Sequence, residues 1–113
     1  MKLPNIENAI VVPSKITDYL LSETHPDGQT KAAFFAQFGF SVESWEVLAR
    51  SLIQHAEANE VTAAVATPHG TKYVVEGVFS APDGRAPTIR SVWLVEGSES
   101  SPRLITAYPL KGS

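Results

Sequence analysis

Four residues far apart in the sequence have side chains suited to chemistry on a phosphodiester: His25, Lys31, Arg90 and Thr106. The near-neutral pKa of imidazole makes His25 a candidate general base, and Lys31 can neutralise a developing oxyanion. Arg90 offers a planar fork of donors for a phosphate, and the Thr106 hydroxyl is a neutral donor. These four are therefore the candidate catalytic residues.

Three more residues are candidates for binding the substrate: Lys72, Arg103 and Tyr108. Arg90 and Arg103 interrupt two apolar segments near the end of the chain, where a sheet built only for stability would rarely carry polar groups. Lys72 follows a turn that contains His69, and this histidine is better explained as an ordinary turn residue.

The two closing apolar segments predict a β-hairpin that brings some of these residues together. In the register that pairs Arg90 with Tyr108 and Val92 with Thr106, the side chains of Arg90, Thr106 and Tyr108 share one face, because side chains alternate along a strand. A register shifted by one residue would move Thr106 and Tyr108 to the other face. The alternative is that Arg90 is a solvated strand residue and Thr106 only a β-former.

His25 and Lys31 flank a turn that contains Gly28, so they can meet only if this loop folds back. The alternative is that His25 is an ordinary turn residue and Lys31 an ordinary helix residue, with no common functional role. A lysine in the first turn of a helix opposes the helix dipole, and this local violation favours a functional explanation.

The sequence predicts neither a metal site nor a cofactor. There is no cysteine, and the three histidines lack a recognisable ligand spacing. It also lacks a Gly-rich phosphate loop, an H-E-x-x-H motif and a nucleophile elbow. His55 lies near the end of a predicted helix, where a cation is favourable, and we interpret it as structural.

The elements that must position these residues are helices first and strands afterwards. One helix is predicted to begin with Ser14 as its N-cap, and a second to run from Thr30 to Phe38 and end at Gly39. A third begins after Ser41 and carries an apolar stripe at helical spacing. The stripe consists of Trp45, Leu48, Ala49, Leu52, Ile53 and Ala56.

Four strands are predicted to follow, joined by turns at Pro68–Gly70 and Pro82–Arg85 and by a polar loop before Arg103. They are Val61–Thr67, Thr71–Phe79, Thr88–Val95 and Arg103–Tyr108. Helices followed by strands predict an α+β fold, with about three N-terminal helices packed on a four-stranded antiparallel β-meander. We expect most of the aromatic side chains to fill the core between the two layers.

Length and charge limit the class of protein. The chain has 113 residues, which predicts one domain over 1–113. Its formal charge of −3 weighs against nucleic-acid binding, although residues 61–113 are slightly positive, with five lysines and arginines against four acidic residues. No apolar run is long enough to span a bilayer and no signal peptide is recognisable, so we expect a soluble cytoplasmic protein without a membrane partner.

The sequence resembles an uncharacterised bacterial family, domain of unknown function 6883, over nearly its whole length. The matching segments are Leu3-Pro4-Asn5, Ala9-Ile10, Tyr19-Leu20-Leu21, His25-Pro26, Gly28, Lys31-Ala32, Phe34-Phe35, Phe38-Gly39-Phe40, Trp45, Gly70-Thr71-Lys72-Tyr73, Gly84-Arg85, Arg90-Ser91-Val92-Trp93, Pro102-Arg103-Leu104 and Thr106-Ala107-Tyr108-Pro109.

More distantly, the family resembles the toxin ribonucleases grouped with barnase, EndoU, colicin D and RelE. This resemblance implies helices on a four-stranded antiparallel sheet and metal-independent cleavage of RNA. It implies His25 and Lys31 as helix-side residues of the site. The sheet-side residues that it implies are Lys72, Arg90, Thr106 and Tyr108. The acidic net charge departs from the basic character of most such toxins.

Two other functions remain open from the sequence. The protein could be a non-catalytic binding module, such as the immunity or antitoxin half of a pair with a cognate protein partner. It could also be a homodimer, rather than a monomer, that pairs through an edge strand such as Arg103–Tyr108.

Overall fold

The computed structural model describes residues 1–21, 29–97 and 100–110, with the backbone alone for residues 18, 19 and 29–31. The chain begins with a short 3₁₀ turn, Ile6–Asn8. Helix α1 is Pro13–Lys15 and continues as a π-helical segment, Ile16–Leu20. The wider turn is visible in the bond from Leu21 N–H to the Ile16 carbonyl oxygen, at 2.8 Å.

Proline starts helix α1, and the predicted N-cap at Ser14 is wrong. Pro13 occupies the first helical position, where its missing N–H costs nothing and its fixed φ suits the helix. The cap position therefore falls on Val12, which is extended and makes no side-chain capping bond. Ser14 lies inside the first turn.

The other two helices match their predictions closely. Helix α2 is Gln29–Gln37, and Gly39 ends it with φ at 100°. A 3₁₀ turn, Val42–Ser44, leads into helix α3, Trp45–Ala58. The apolar stripe of α3 faces the core, with Leu48 and Leu52 fully buried.

The four strands form an antiparallel meander in the order β1-β2-β3-β4. They are β1 Val61–Thr67, β2 Gly70–Val78, β3 Thr88–Val95 and β4 Arg103–Pro109. The α+β fold predicted from the sequence is confirmed. Strand β2 begins one residue early because Gly70 pairs with Thr67 across a two-residue turn.

The two faces of the sheet differ in burial. We call the face against the helices the inner face; along β3 it carries Ile89, Ser91, Trp93 and Val95, all buried. The opposite, outer face carries the residues between them, which are partly exposed. The core lies between the inner face and the helices. The buried residues of this cluster are Leu3, Ile16, Leu20, Leu21, Phe35, Phe38, Phe40, Leu48, Leu52, Ala56, Val75, Phe79, Ile89, Trp93, Leu104 and Ala107.

The N-terminal segment closes part of the β4 edge of the sheet. Ile10 N–H donates to the Pro102 carbonyl at 2.8 Å, and its carbonyl accepts from Leu104 N–H at 3.0 Å. This short parallel bridge covers the start of the strand that the sequence suggested for dimer pairing.

Candidate functional site

The outer face carries a row of three polar side chains, one from each of the last three strands. Arg90 on β3 pairs with Glu76 on β2 and with Tyr108 on β4. Arg90 Nε donates to Glu76 Oε2 at 2.6 Å, and its Nη2 contacts the same oxygen. Arg90 Nη1 donates to the Tyr108 hydroxyl oxygen at 3.2 Å. The Arg90 guanidinium lies 5.6 Å from the centre of the Tyr108 ring.

This row remains accessible to solvent and charged at neutral pH. The Arg90 side chain is 37% exposed and the Glu76 side chain 25% exposed. The hydrogen bond from Arg90 lowers the pKa of Glu76, against a smaller opposing effect of burial. Hydrogen bonds with Tyr108 and then with Glu76 raise the pKa of Arg90. The carboxylate and the guanidinium therefore face solvent as an ion pair.

The next row brings Thr106 onto the same face. Thr106 pairs with Val92, which in turn pairs with Val74. The register predicted for the hairpin, with Arg90 opposite Tyr108 and Val92 opposite Thr106, is confirmed. The sheet thus brings Arg90, Thr106 and Tyr108 together on one surface.

Two further cations occupy the far end of the outer face. Lys72 is exposed and pairs with Leu94, whose other neighbour is Arg103. Arg103 Nη1 lies 3.5 Å from Glu96 Oε1, and both side chains are largely exposed. Lys72 is four residues from Glu76 along β2, so the two rows are about 13 Å apart. The outer face thus carries cationic side chains at both ends, and Arg90 and Arg103 each lie beside a glutamate.

No contact between the two helix-side candidates, His25 and Lys31, and this surface is seen among the residues that the structure describes. His25 lies outside the described residues. Lys31 belongs to α2, of which the structure describes only the backbone at this position. Helix α2 packs on the inner face through Phe35, so the sheet lies between this helix and the Arg90 side chain. The roles of His25 and Lys31 stay predictions.

Sequence reasoning missed Glu76 as a member of the site. Alternation with the neighbouring Val75 places Glu76 on the outer face of β2, but alternation alone assigns no role to its carboxylate. The pairing of Glu76 could have been predicted from the turn that joins β2 and β3, because the centre of a hairpin turn determines which residues of the two strands lie opposite each other. With that register, Glu76 must face Arg90.

A second polar cluster lies inside the core and differs from the expectation for His55. The His55 ring is 2% exposed; its Nε2 contacts the Gly77 carbonyl at 3.2 Å and its Nδ1 contacts Ser91 Oγ at 3.1 Å. Trp93 Nε1 donates to the same Ser91 oxygen at 2.9 Å. In the tautomer that carries its proton on Nε2, His55 donates to the Gly77 carbonyl and its Nδ1 accepts from the Ser91 hydroxyl. Each polar group of His55, Ser91 and Trp93 in this cluster then has a hydrogen-bond partner.

Burial lowers the pKa of His55, against the smaller raising effect of its backbone hydrogen bonds. The structural interpretation of His55 fits this position. The expectation that it acts as a cation at the end of α3 is wrong, because the buried ring is held in its neutral form.

Searches of the described residues found no ligand cluster and no membrane span. Among residues 1–21, 29–97 and 100–110, no three histidine, aspartate or glutamate side chains could hold a metal ion together. Within the same ranges, every helix is too short or too polar to cross a membrane.

Comparisons with known proteins give a family and one solved structure of similar fold. A family model described as "Domain of unknown function (DUF6883)" matches residues 2–111. No curated protein matches the chain. A chain from the contact-dependent growth inhibition toxin–immunity protein complex of Klebsiella pneumoniae 342 is similar, with 22% identity and a TM-score of 0.71. The match covers 96% of this chain and 98% of that one. At this identity the likeness shows the fold alone.

Proposed function

We propose, from the premise that this chain belongs to the DUF6883 family, that it is a metal-independent endoribonuclease of toxin type. The observation that supports this function is the row of Glu76, Arg90 and Tyr108 on the accessible outer face. The row combines a base, a phosphate-binding fork and a phenol in one place.

The proposed reaction is attack of a ribose 2′-hydroxyl on the adjacent phosphodiester. The O2′–P bond forms and the P–O5′ bond breaks, which leaves a cyclic phosphate and a free 5′-hydroxyl. The 2′-hydroxyl proton goes to a general base, and the 5′ oxygen takes up a proton as it leaves. Arg90 stabilises the phosphorane charge, and Thr106 donates a hydrogen bond to it.

Two side chains compete for the role of general base. The sequence favours His25, with Lys31 as a residue that would stabilise charge. The geometry favours Glu76, because it is ionised and its carboxylate already lies beside the guanidinium that would hold the phosphate. The pH dependence of cleavage distinguishes the two, since the groups titrate in different ranges.

Lys72, Arg103 and Tyr108 fit the binding of the rest of the nucleic acid. Lys72 and Arg103 lie about 13 Å along the strands from the Arg90 row, and Leu94 pairs with both of them. Cations at that distance would contact phosphates flanking the one that reacts. Between the rows, the partly exposed Val92 offers an apolar surface to a base.

The direct test is cleavage of a defined RNA by the purified chain in EDTA. Arg90→Ala should lose at least about a hundredfold in rate, because removal of one transition-state donor typically costs that much. Arg50→Ala is the matched control, an exposed arginine on α3 that lies on the helix side of the sheet. Absence of cleavage, or full activity of Arg90→Ala, would contradict the proposal.

A non-catalytic binding module is the second candidate, supported by two observations. Arg90 is already satisfied by Glu76 and Tyr108, so a phosphate must compete with an existing ion pair. The net charge of −3 also suits a protein that binds a cognate protein rather than RNA. In that case the chain would act in the cytoplasm as one half of a toxin–immunity type pair.

Expression in a bacterial host separates the two candidates. A ribonuclease should arrest growth unless a neutralising partner is present, and Arg90→Ala should relieve the arrest. A binding module should be tolerated at high level with or without the substitution.

A further inference from the structure

Strand β1 is exposed on both faces over five consecutive residues, Thr62–Ala66. Val65, on the outer face, is 54% exposed. Ala64 and Ala66 point to the other side and are also exposed, so the helices do not cover this part of the hairpin. The strand contains no charged residue and no proline. Edge strands usually carry such residues because they prevent pairing with another chain.

The N-terminal segment of the chain bonds to both edges of the sheet near the start of the edge strands. At β4, Ile10 bonds to Pro102 and Leu104. At β1, the bond from Val61 N–H to the Met1 carbonyl, at 2.7 Å, lies at the very start of the strand. An irregularity between Val61 and Ala63 separates this start from the regular part of the strand. Within the described part of the chain, the regular stretch Ala63–Thr67 has a partner strand on one side only.

The turn determines which backbone groups face outward from this edge. Thr67 and Gly70 pair across a two-residue turn, the geometry of a hydrogen-bonded pair in a hairpin. Hydrogen-bonded and non-hydrogen-bonded pairs alternate, so Val65 and Ala63 also bond to β2. The N–H and carbonyl groups of Ala64 and Ala66 therefore point away from the sheet.

We propose that the β1 edge pairs antiparallel with β1 of a second copy of this chain, centred on Val65. In this register Ala64 lies opposite Ala66 of the second copy, and the two residues exchange both backbone bonds. The pairing is self-complementary because the facing side chains are small and uncharged. The two-fold axis is perpendicular to the sheet, so the two outer faces lie on the same side of one continuous sheet.

The first measurement is the solution mass of the wild-type chain by light scattering or sedimentation over a concentration series. We expect a dimer at high concentration, in the class of weak interfaces because few residues pair. Val65→Lys places like charges directly opposite each other and should abolish the dimer. Val78→Lys is the matched control, because Val78 is 55% exposed on the same face but lies on β2.

The second measurement uses the absence of cysteine from the chain. Val65 would lie opposite its own copy as a non-hydrogen-bonded pair, with Cα atoms about 4.5 Å apart, within the range of a disulfide. Val65→Cys should therefore form a covalent dimer under mild oxidation at least about tenfold faster than Val78→Cys.

Both results together support the self-pairing. A wild-type chain that stays monomeric at every concentration overturns the proposal. In that case the β1 edge would be available for pairing with a strand of a different protein. Equal cross-linking of Val65→Cys and Val78→Cys also overturns it. Thermal melting of each variant shows whether the fold is retained, so a loss of dimer in a folded Val65→Lys chain reports pairing alone.

Discussion

Arg90 Nε donates to Glu76 Oε2 at 2.6 Å, so a guanidinium and a carboxylate from neighbouring strands form one exposed ion pair. The pair adds little to the free energy of unfolding, because partly exposed ion pairs typically contribute less than about 1 kcal/mol. Arg90 also donates to Tyr108, and the proposed ribonuclease would use this row to hold a phosphate. This relationship leads to the first two predictions.

Glu76→Gln should lower the rate of RNA cleavage at least about a hundredfold, because the amide is no longer a base. The substitution should leave the melting temperature nearly unchanged, and circular dichroism checks this. The control is Glu57→Gln, which alters an exposed carboxylate on α3. Full cleavage by Glu76→Gln would return the role of base to His25.

The pH profile of cleavage should identify the base independently of any substitution. A base works in its deprotonated form, so the rate falls as the pH drops through its pKa. Since Arg90 lowers the pKa of Glu76 from its ordinary value of 4.5, the rate should stay constant well below neutral pH. A histidine base would instead lose activity through about pH 6.5. Measurement of kcat/KM from about pH 8 to about pH 5 separates the two.

Lys72→Ala should weaken RNA binding and reduce its salt dependence. Each phosphate contact on a single strand contributes about −0.7 to the slope of log K against log salt concentration. The salt-dependence slope of Lys72→Ala should therefore be shallower by about that amount. It is measured by fluorescence anisotropy in a Glu76→Gln background, so that the RNA is not cleaved during the titration. Arg50→Ala should keep the wild-type slope. An unchanged slope in Lys72→Ala would remove Lys72 from the binding surface.

Acidification should destabilise the protein through His55. The pKa of the buried ring is lowered below the ordinary 6.5, so the unfolded state binds the proton more readily than the folded state. The free energy of unfolding should then fall as the pH drops below about 6.5 and be fully present above it. Carboxylates with a lowered pKa, such as Glu76, remain ionised in this range.

Urea denaturation at a series of pH values measures this effect. His69→Gln should retain it, because His69 is an exposed turn residue. His55→Gln should lose it along with part of the overall stability. If that variant does not fold, nuclear magnetic resonance titration of the wild-type His55 ring gives the same answer. A ring that titrates at or above 6.5 would contradict the prediction.

Gly70→Ala should cost at least about 2 kcal/mol of unfolding free energy, because strain and a steric clash coincide there. The residue has φ at 137°, and an added Cβ would lie 2.5 Å from the Val95 carbonyl oxygen. Gly84→Ala is the control, since its φ is 89° but no atom lies within 4 Å of an added Cβ. It should cost only the strain, about 1–2 kcal/mol. Equal losses in urea denaturation would show that the contact with Val95 is relieved.

The sheet was more predictable from the sequence than the site. Alternation and turn residues specify the strands and even the pairing of Arg90 with Tyr108, because a shift by one residue would expose the apolar side of β4. The shift in the β3–β4 register between Val92 and Trp93, by contrast, could not be predicted from alternation or turn residues. It lies where Trp93 pairs with Leu104, both buried in the core, and hydrophobic periodicity does not describe such a shift.

The site was only partly predictable because it depends on contacts between strands. Arg90 and Tyr108 were predicted as site residues, whereas Glu76 was not. A role for Glu76 becomes visible only when the β2–β3 register shows that it lies opposite Arg90. His55 shows the same limit. Its place near the end of a helix suggested a cation, but the opposing sheet encloses the ring and provides Ser91 and Gly77 as partners.

The bridge from Ile10 to β4 limits how far the sheet can grow. A chain with two open edges could add copies at both sides and polymerise into a fibre. Here the protein's own N-terminal segment covers the start of β4, so another strand cannot pair with that part of the edge unless the segment is displaced.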